Sequence, residues 1–533
     1  MNTRLAVAAL VGALVLGACG QKPPATPAAS ADAHAPAGVL RRGNGPEPDS
    51  LDPQLARTDN SANILRDVYE GLASLNERAE PVPGAAESWE VSGDGLTYTF
   101  TLRPQARWSD GTPLVAADFV ASWRRLVDPA TGSPYADVLQ PLVNAPEILA
   151  GKAAPARLGV SAPDERTLVV HLGAPTPYFP GLVAHWSTFP TYHGLAPARA
   201  GATVSNGAYL LGEWTVGSHV TLKRNPRYWN AAATHIETVE YVHVPDANDE
   251  YARFRAHGLD VSYVLPQQPI ARLNAAEGAA IHLSPQLGVY YYGFNLAKSP
   301  FKGSPGLRQA LAMTVDRERL VSSVTGLGEV PAYSWVPPGV AGYESQRFAW
   351  SARAYAERLA EARRLYAAAG YGAARPLKIE LRYPSGPTHE RIAIAVASMW
   401  KEALGVETRL AGEEFKSMLQ AVTRGETQVF RSSWTGDFND AWTFAEVLQG
   451  HSGNNLTGYR SAPYDALLAG AAAATDTAAR RESLEAAERT LLADAPVVPL
   501  YYFVNKHLVA PRVHGWYDNV MNVVYSKDLE LVH

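Results

Sequence analysis

The residues with chemical potential form few groupings, and none has the spacing of a catalytic centre. His389-Glu390 opens as a zinc-binding helix would, but Ala393 stands where a second histidine is needed, and one imidazole cannot close a metal site. Asp246-Ala247-Asn248-Asp249-Glu250 is acidic, yet it lacks the sixth-position glycine and distal glutamate of a calcium loop, which makes it a solvated turn. No Gly-rich phosphate cradle, no Gly-x-Ser-x-Gly elbow and no complete His-Glu-x-x-His run occurs. Many carboxylates are present, but nothing selects a pair for glycoside hydrolysis. We therefore expect no reaction, no metal and no cofactor, and recognition is the chemistry to look for.

The one cysteine, Cys19, excludes an internal disulfide framework and any cysteine-based zinc site. It ends a pattern of positive start (Met1 to Arg4), apolar run (Leu5 to Leu16) and small residues, which is a secretory signal too short to span a bilayer. Leu16-Gly17-Ala18-Cys19 resembles a bacterial lipobox. The expectation is a signal peptide over 1–18, lipidation at Cys19, and a protein held to a membrane of the cell envelope, on its periplasmic side. Gly20 leaves open which membrane carries the anchor. Residues 19–38, rich in Pro, Ala and Ser, read as a leash.

The elements that must carry recognition follow from the rest of the 533 residues. With 47% hydrophobic residues there is ample surface to bury, and 47 basic against 52 acidic residues provide no footprint for nucleic acid. The 43 glycines and 39 prolines suit many turns between short elements. Trp89, Val91, Gly93-Asp94-Gly95, Leu96, Tyr98, Phe100 and Leu102 spell a β-hairpin. Thr112 and Pro113 predict the start of a helix with Ala116, Val120, Trp123 and Val127 inward. Further helices are expected from Ser304-Pro305 and over 352–369, the latter stopped by Gly370. Strand-like runs cover 219–223, 238–244, 289–295, 377–383 and 497–504. The interleaving predicts an α/β class, mixed α+β, with more than one sheet.

Across this framework run Ser50-Leu51-Asp52-Pro53, Tyr69-Glu70-Gly71-Leu72, Pro83-Gly84-Ala85-Ala86-Glu87-Ser88-Trp89, Trp108-Ser109-Asp110-Gly111-Thr112-Pro113, Asp118-Phe119-Val120, Ser122-Trp123, Asn206-Gly207-Ala208-Tyr209 and Val315-Asp316-Arg317. In that order they resemble the bacterial extracellular solute-binding proteins of family 5, the peptide and nickel receptors of ABC importers. The resemblance implies a two-lobed periplasmic-binding-protein-like fold of class II type with a third, extra domain. The first domain would take 39–69, 190–287 and 505–533, the second 70–189 and the third 288–504, with hinge strands near 289–295 and 499–505. It also implies a monomer that captures short peptides between the lobes and passes them to an ABC permease.

By the same resemblance the peptide ammonium would pair with Asp437, in Arg431-Ser432-Ser433-Trp434-Thr435-Gly436-Asp437. Trp434 and Thr435 would face the ligand, Arg431 and His389 would serve its carboxylate, and Tyr135, Tyr291 and Tyr502 would line the cleft. A buried ammonium needs such a partner, because leaving it unpaired would cost several kcal/mol. Some positions depart from the family pattern. Thr325 replaces a lysine, Val422 an arginine with Arg424 displaced by two, Arg57 a glutamate, and Ala441 a proline, while Gly288 and Thr435 replace a cysteine pair. Ligand length is therefore open, and murein peptides, a signalling peptide or a non-peptide solute stand as alternatives, with an envelope hydrolase or chaperone behind them.

Overall fold

The structure, a computed structural model, describes residues 38–197 and 203–532; Cys19 and the signal and nearly all of the leash lie outside them. Two large apolar cores divide the molecule into two lobes. The first is built mainly from residues between Leu40 and Val261, and the second from residues between Leu287 and Tyr502.

The first lobe holds two four-stranded sheets. One runs in the order Val39–Gly43, Thr238–Val242, His219–Arg224, Tyr209–Thr215, its first pair parallel and the others antiparallel. The other is antiparallel, in the order Ala86–Val91, Thr97–Leu102, Thr167–His171, Val160–Ser161. The expected hairpin is the opening pair of this second sheet, with Trp89 opposite Phe100 and Val91 opposite Tyr98. The neighbouring helix begins later than Thr112. It spans Ala116–Val127, because Trp108 donates its backbone N–H to the Thr112 carbonyl and Leu114 donates to Ala106. Asp118 then caps the helix, accepting the Val115 N–H at 3.1 Å and the Trp108 indole N–H at 2.9 Å. Its inward stripe is as the spacing predicts: Ala116, Val120, Trp123 and Val127 are buried.

The second lobe surrounds a six-stranded mixed sheet in the order Val330–Pro331, Val497–Leu508, Ile281–Phe294, Val429–Thr435, Lys378–Pro384, Glu407–Glu413. Helices Pro305–Met313, Tyr355–Ala368 and Pro387–Leu404 belong to this lobe and bury Leu307, Ala310 and Leu311, Ala362 and Tyr366, and Ile392, Val396 and Trp400. Arg317, fully buried, ties the lobe together by donating to the carbonyls of Ala332, Pro499, Ala312 and Val315.

Two antiparallel strands cross between the lobes. Ile281–Phe294 and Val497–Leu508 pair from Ile281 opposite Leu508 to Gly293 opposite Val497, with register shifts between Pro285 and Val289 and between Tyr290 and Tyr291. Past Leu508, Val509 bridges Val261, which in turn bridges Arg42 of the first sheet. The strands expected over 289–295 and 497–504 are thus longer, extending into the first lobe. Bulges of this kind bend a strand pair and leave it less regular, which suits a hinge.

Candidate functional site

Between the lobes lies a cleft of about 1520 Å³. The first lobe contributes Asp59, Asn63 and Arg66 from the helix Asp59–Val68, with Tyr135, Asp137, Tyr178, His185 and Trp186 from connecting segments. The second contributes the run Trp434–Asp440 with Trp442 and Glu446, and the crossing strands supply a floor of Gln286, Leu287, Asn505, Lys506 and His507. The lobes touch at one end, where the Phe438 ring stacks on Tyr178 at 4.4 Å and 4° and Asn439 donates to the carbonyls of Arg78 and Ala79.

The strand Val429–Thr435 is central to the site. One of its edges pairs with Ile281–Phe294 along its whole length, Gly288 opposite Thr435 through Phe294 opposite Val429. Its other edge pairs with Lys378–Pro384 only at Val429 and Phe430. Beyond Phe430 the pairing with the neighbouring strand stops, so the backbone of residues 431–435 has no ladder partner on that side among the described residues, and an open edge is a template for an extended chain. The strand leads into a turn that presents Asp437. Gly436 allows this turn, since its N–H donates to the Leu287 carbonyl at 2.8 Å and a Cβ there would lie 2.5 Å from a Leu287 methyl. Asp437 is exposed on the cleft wall, and its backbone N–H is received by Thr443 at 3.2 Å. No cation of the described residues pairs with its carboxylate, whereas Asp440 is held by both terminal nitrogens of Arg480 at 2.8 Å. Surrounding protein and then Asp137 on the opposite lobe push the Asp437 pKa upward. Glu446, held by the Trp442 indole at 2.9 Å, is raised to about 7 by burial, with Asp437 and Asp440 adding to the shift.

Of the residues expected at the site, Asp437, Trp434, Thr435 and Tyr135 line the cleft. The Trp434 indole N–H has no acceptor among the described residues. Tyr135 packs edge-on to Trp186 at 5.2 Å and donates to the Arg57 carbonyl at 3.3 Å. Arg431 and His389 lie together, away from the lining: the Arg431 guanidinium sits 4.3 Å over the Tyr290 ring, and the Tyr290 hydroxyl meets His389 Nδ1 at 3.1 Å. Burial, then the Arg431 charge, lowers the His389 pKa to about 4, so it is neutral at pH 7. By strand alternation Arg431, Ser433 and Thr435 share one face. Tyr291 and Tyr502 are placed in the interior of the second lobe. Tyr291 packs edge-on to Trp335 at 4.9 Å, and the Tyr502 hydroxyl is engaged by Ser334.

The profile of the bacterial extracellular solute-binding proteins, family 5 Middle, matches residues 80–455. The chain belongs to this family. Among curated family relatives it is 37% identical over 494 residues to the periplasmic murein peptide-binding protein MppA of Escherichia coli, covering 91% of this chain and 92% of that protein. It is 38% identical over 524 residues to the periplasmic oligopeptide-binding protein OppA of Salmonella typhimurium, covering 95% and 96%. It is also 38% identical over 504 residues, covering 93% and 94%, to a probable deoxycholate-binding periplasmic protein of Escherichia coli, YgiS. Identity of this order is thus shared by family members whose names give different ligands.

Among solved family structures, the fold matches the unliganded open form of MppA with a TM-score of 0.88 at 37% identity, covering 93% of this chain and 97% of that one. Against Haemophilus influenzae OppA in complex with the peptide RPPGFSPFR the TM-score is 0.71 at 35% identity, covering 93% and 99%. Sequence divergence of two percentage points does not account for that gap; the lobes here stand as in the open form. The family departures have structural counterparts. Thr325 bonds Glu329 at 2.8 Å, and Arg424 pairs with Glu426 rather than with the cleft. Asp137, Glu446, Arg66 and Trp186 line the cleft unforeseen, since no motif or periodicity marks residues brought together only by tertiary packing.

Proposed function

We propose that this chain is the peptide-capturing receptor of an ABC importer: it binds short peptides with free N-termini in the cleft, closes around them and delivers them to a membrane permease. One observation carries the reading. The unpaired edge of residues 431–435 ends beside a cleft carboxylate that no cation satisfies, so an extended peptide can add to the edge with its ammonium at Asp437. The shared face then leads from Thr435 to Arg431, which lies beyond the lining of the open cleft, has no carboxylate partner among the described residues, and would receive the ligand carboxylate beside His389 once the peptide has added along the edge. Four strand steps of about 3.3 Å make this path roughly 13 Å, the span of three to four extended residues. Trp434 and Thr435 flank the path, and Tyr135 faces it from the other lobe. The names of MppA and OppA agree with a peptide ligand, and closure is a hinge motion that a bridging ligand stabilises. We further propose the three-domain division set out above, a periplasmic location with lipid attachment at Cys19, action as a monomer, and no enzymatic role. A second reading keeps the site but makes the ligand a murein peptide, favoured by the 37% identity to MppA.

Calorimetric titration with alanine peptides of two to eight residues, with small-angle scattering in parallel, tests the proposal. Affinity should peak at three to four residues and the radius of gyration should fall on binding. Absent binding, or affinity that rises steadily with length, would contradict it.

A further inference from the structure

On the first-lobe wall, which also bears Asp59 and Asp137, the cleft carries a small patch around Arg66. Arg66 projects from the helix Asp59–Val68 with its guanidinium 5.2 Å over the Trp186 ring. Among the described residues its single polar contact is Asn63 Oδ1 at 3.4 Å, and it forms no ion pair. Asp59 shares the helix but stands two turns away, roughly 10 Å along the axis. Trp186 is 6% exposed, and its indole N–H is buried with no acceptor among the described residues. Buried donors of this kind are nearly always satisfied, so one beside an unpaired guanidinium marks a missing acceptor. His185, next in sequence, bonds Ser187 at 2.8 Å and is neutral at pH 7, its pKa lowered to about 3 by burial and by Arg66. The positive charge of the patch is therefore that of Arg66. The patch is not isolated from the peptide path: Tyr135 packs on Trp186, and the Asp437 carboxylate is among the charges that raise the Tyr135 pKa, after burial and Asp59.

We infer that Arg66, Trp186 and Asn63 form a carboxylate subsite that selects an acidic side chain among the first residues of the bound peptide. Arg66 meets the carboxylate with charge-assisted bonds, the Trp186 N–H supplies a second donor, and the indole face fixes the plane of the guanidinium. The inference rests on the peptide reading above.

The test is a calorimetric scan of tetrapeptides, alanine throughout except for Glu or Gln at the first, second or third position, against the wild-type protein, with tetra-alanine as reference. At one of these positions the Glu peptide should bind about tenfold more tightly than its Gln counterpart, the worth of one charge-assisted contact. Arg66→Gln should bring that ratio to within about twofold of unity. Trp186→Phe, which keeps the aromatic platform and removes only the N–H, should reduce it to about threefold. Ratios near one at all three positions in the wild-type protein overturn the subsite while leaving peptide capture intact. An Arg66→Gln protein that keeps the full ratio overturns the role of Arg66. If tetra-alanine and every substituted peptide fail to bind, the peptide reading fails and takes the subsite with it.

Discussion

Two carboxylates illustrate how the frame and the cleft of this protein differ. Glu70, buried in the first lobe, accepts hydrogen bonds from Tyr228 and from the Trp229 indole at 2.6 Å, and pairs with Lys527 at 3.0 Å. Its backbone is further gripped by Asn206, which donates to the Glu70 carbonyl at 2.8 Å and accepts its N–H at 3.2 Å. Asp437 has none of this. The charged groups near it are other acids, Asp137 across the cleft and Glu446. A charge whose partners are all supplied by the chain holds the fold together, and a charge left without one is free to be matched by a ligand.

Removing Glu70 should break the first half of this contrast with the largest effect. Glu70→Ala strands the Lys527 ammonium, and truncating one partner of a buried pair costs about 3 to 5 kcal/mol. Urea unfolding should show this as a lower midpoint, and an unchanged midpoint would remove the contrast. Asp437→Asn should do the reverse: peptide affinity falls by about 2 to 5 kcal/mol in calorimetry, while the melting temperature of the empty protein does not fall. The smallest effect sharpens the comparison through pH. Glu446 has a folded pKa of about 7, above its ordinary 4.5, chiefly through burial. Its contribution to stability is therefore complete below 4.5 and is lost as pH rises through 7. Denaturation of the empty protein should show stability declining over that window, and Glu446→Gln should flatten the decline.

The motifs that reveal the family in the sequence belong mostly to the frame. Glu70, Asn206, Trp108 with Asp118, and Arg317 each satisfy buried polar groups, which is why their types and order are legible without coordinates. Helix stripes and the hairpin were legible for a similar reason, since burial imposes a period on the sequence. The crossing strands were only half legible. Their second-lobe halves are rich in Tyr and Val, whereas the other halves carry Ser284, Pro285, Gln286, Asn505, Lys506 and His507, where no single apolar face is buried. Thr112 and Pro113 carry a helix-start signal that the bridge between Arg107 and Pro113 overrides. Within the cleft, Asp437 was recognisable through its motif. Asp137, Glu446, Arg66 and Trp186 were not, because their meaning lies in what faces them across the lobes. Tyr291 and Tyr502 show the converse, since residues on a legible strand still divide between its faces according to register.

The central claim is that a ligand ammonium completes the unmatched carboxylate of Asp437. The most direct measurement is calorimetry of the wild-type protein with one tetrapeptide in two forms, free and N-acetylated, at pH 7. The free peptide should bind and the acetylated one should lose at least about a hundredfold in affinity, the loss expected when one partner of a desolvated charge pair is removed. Equal affinity for the two forms would contradict the account.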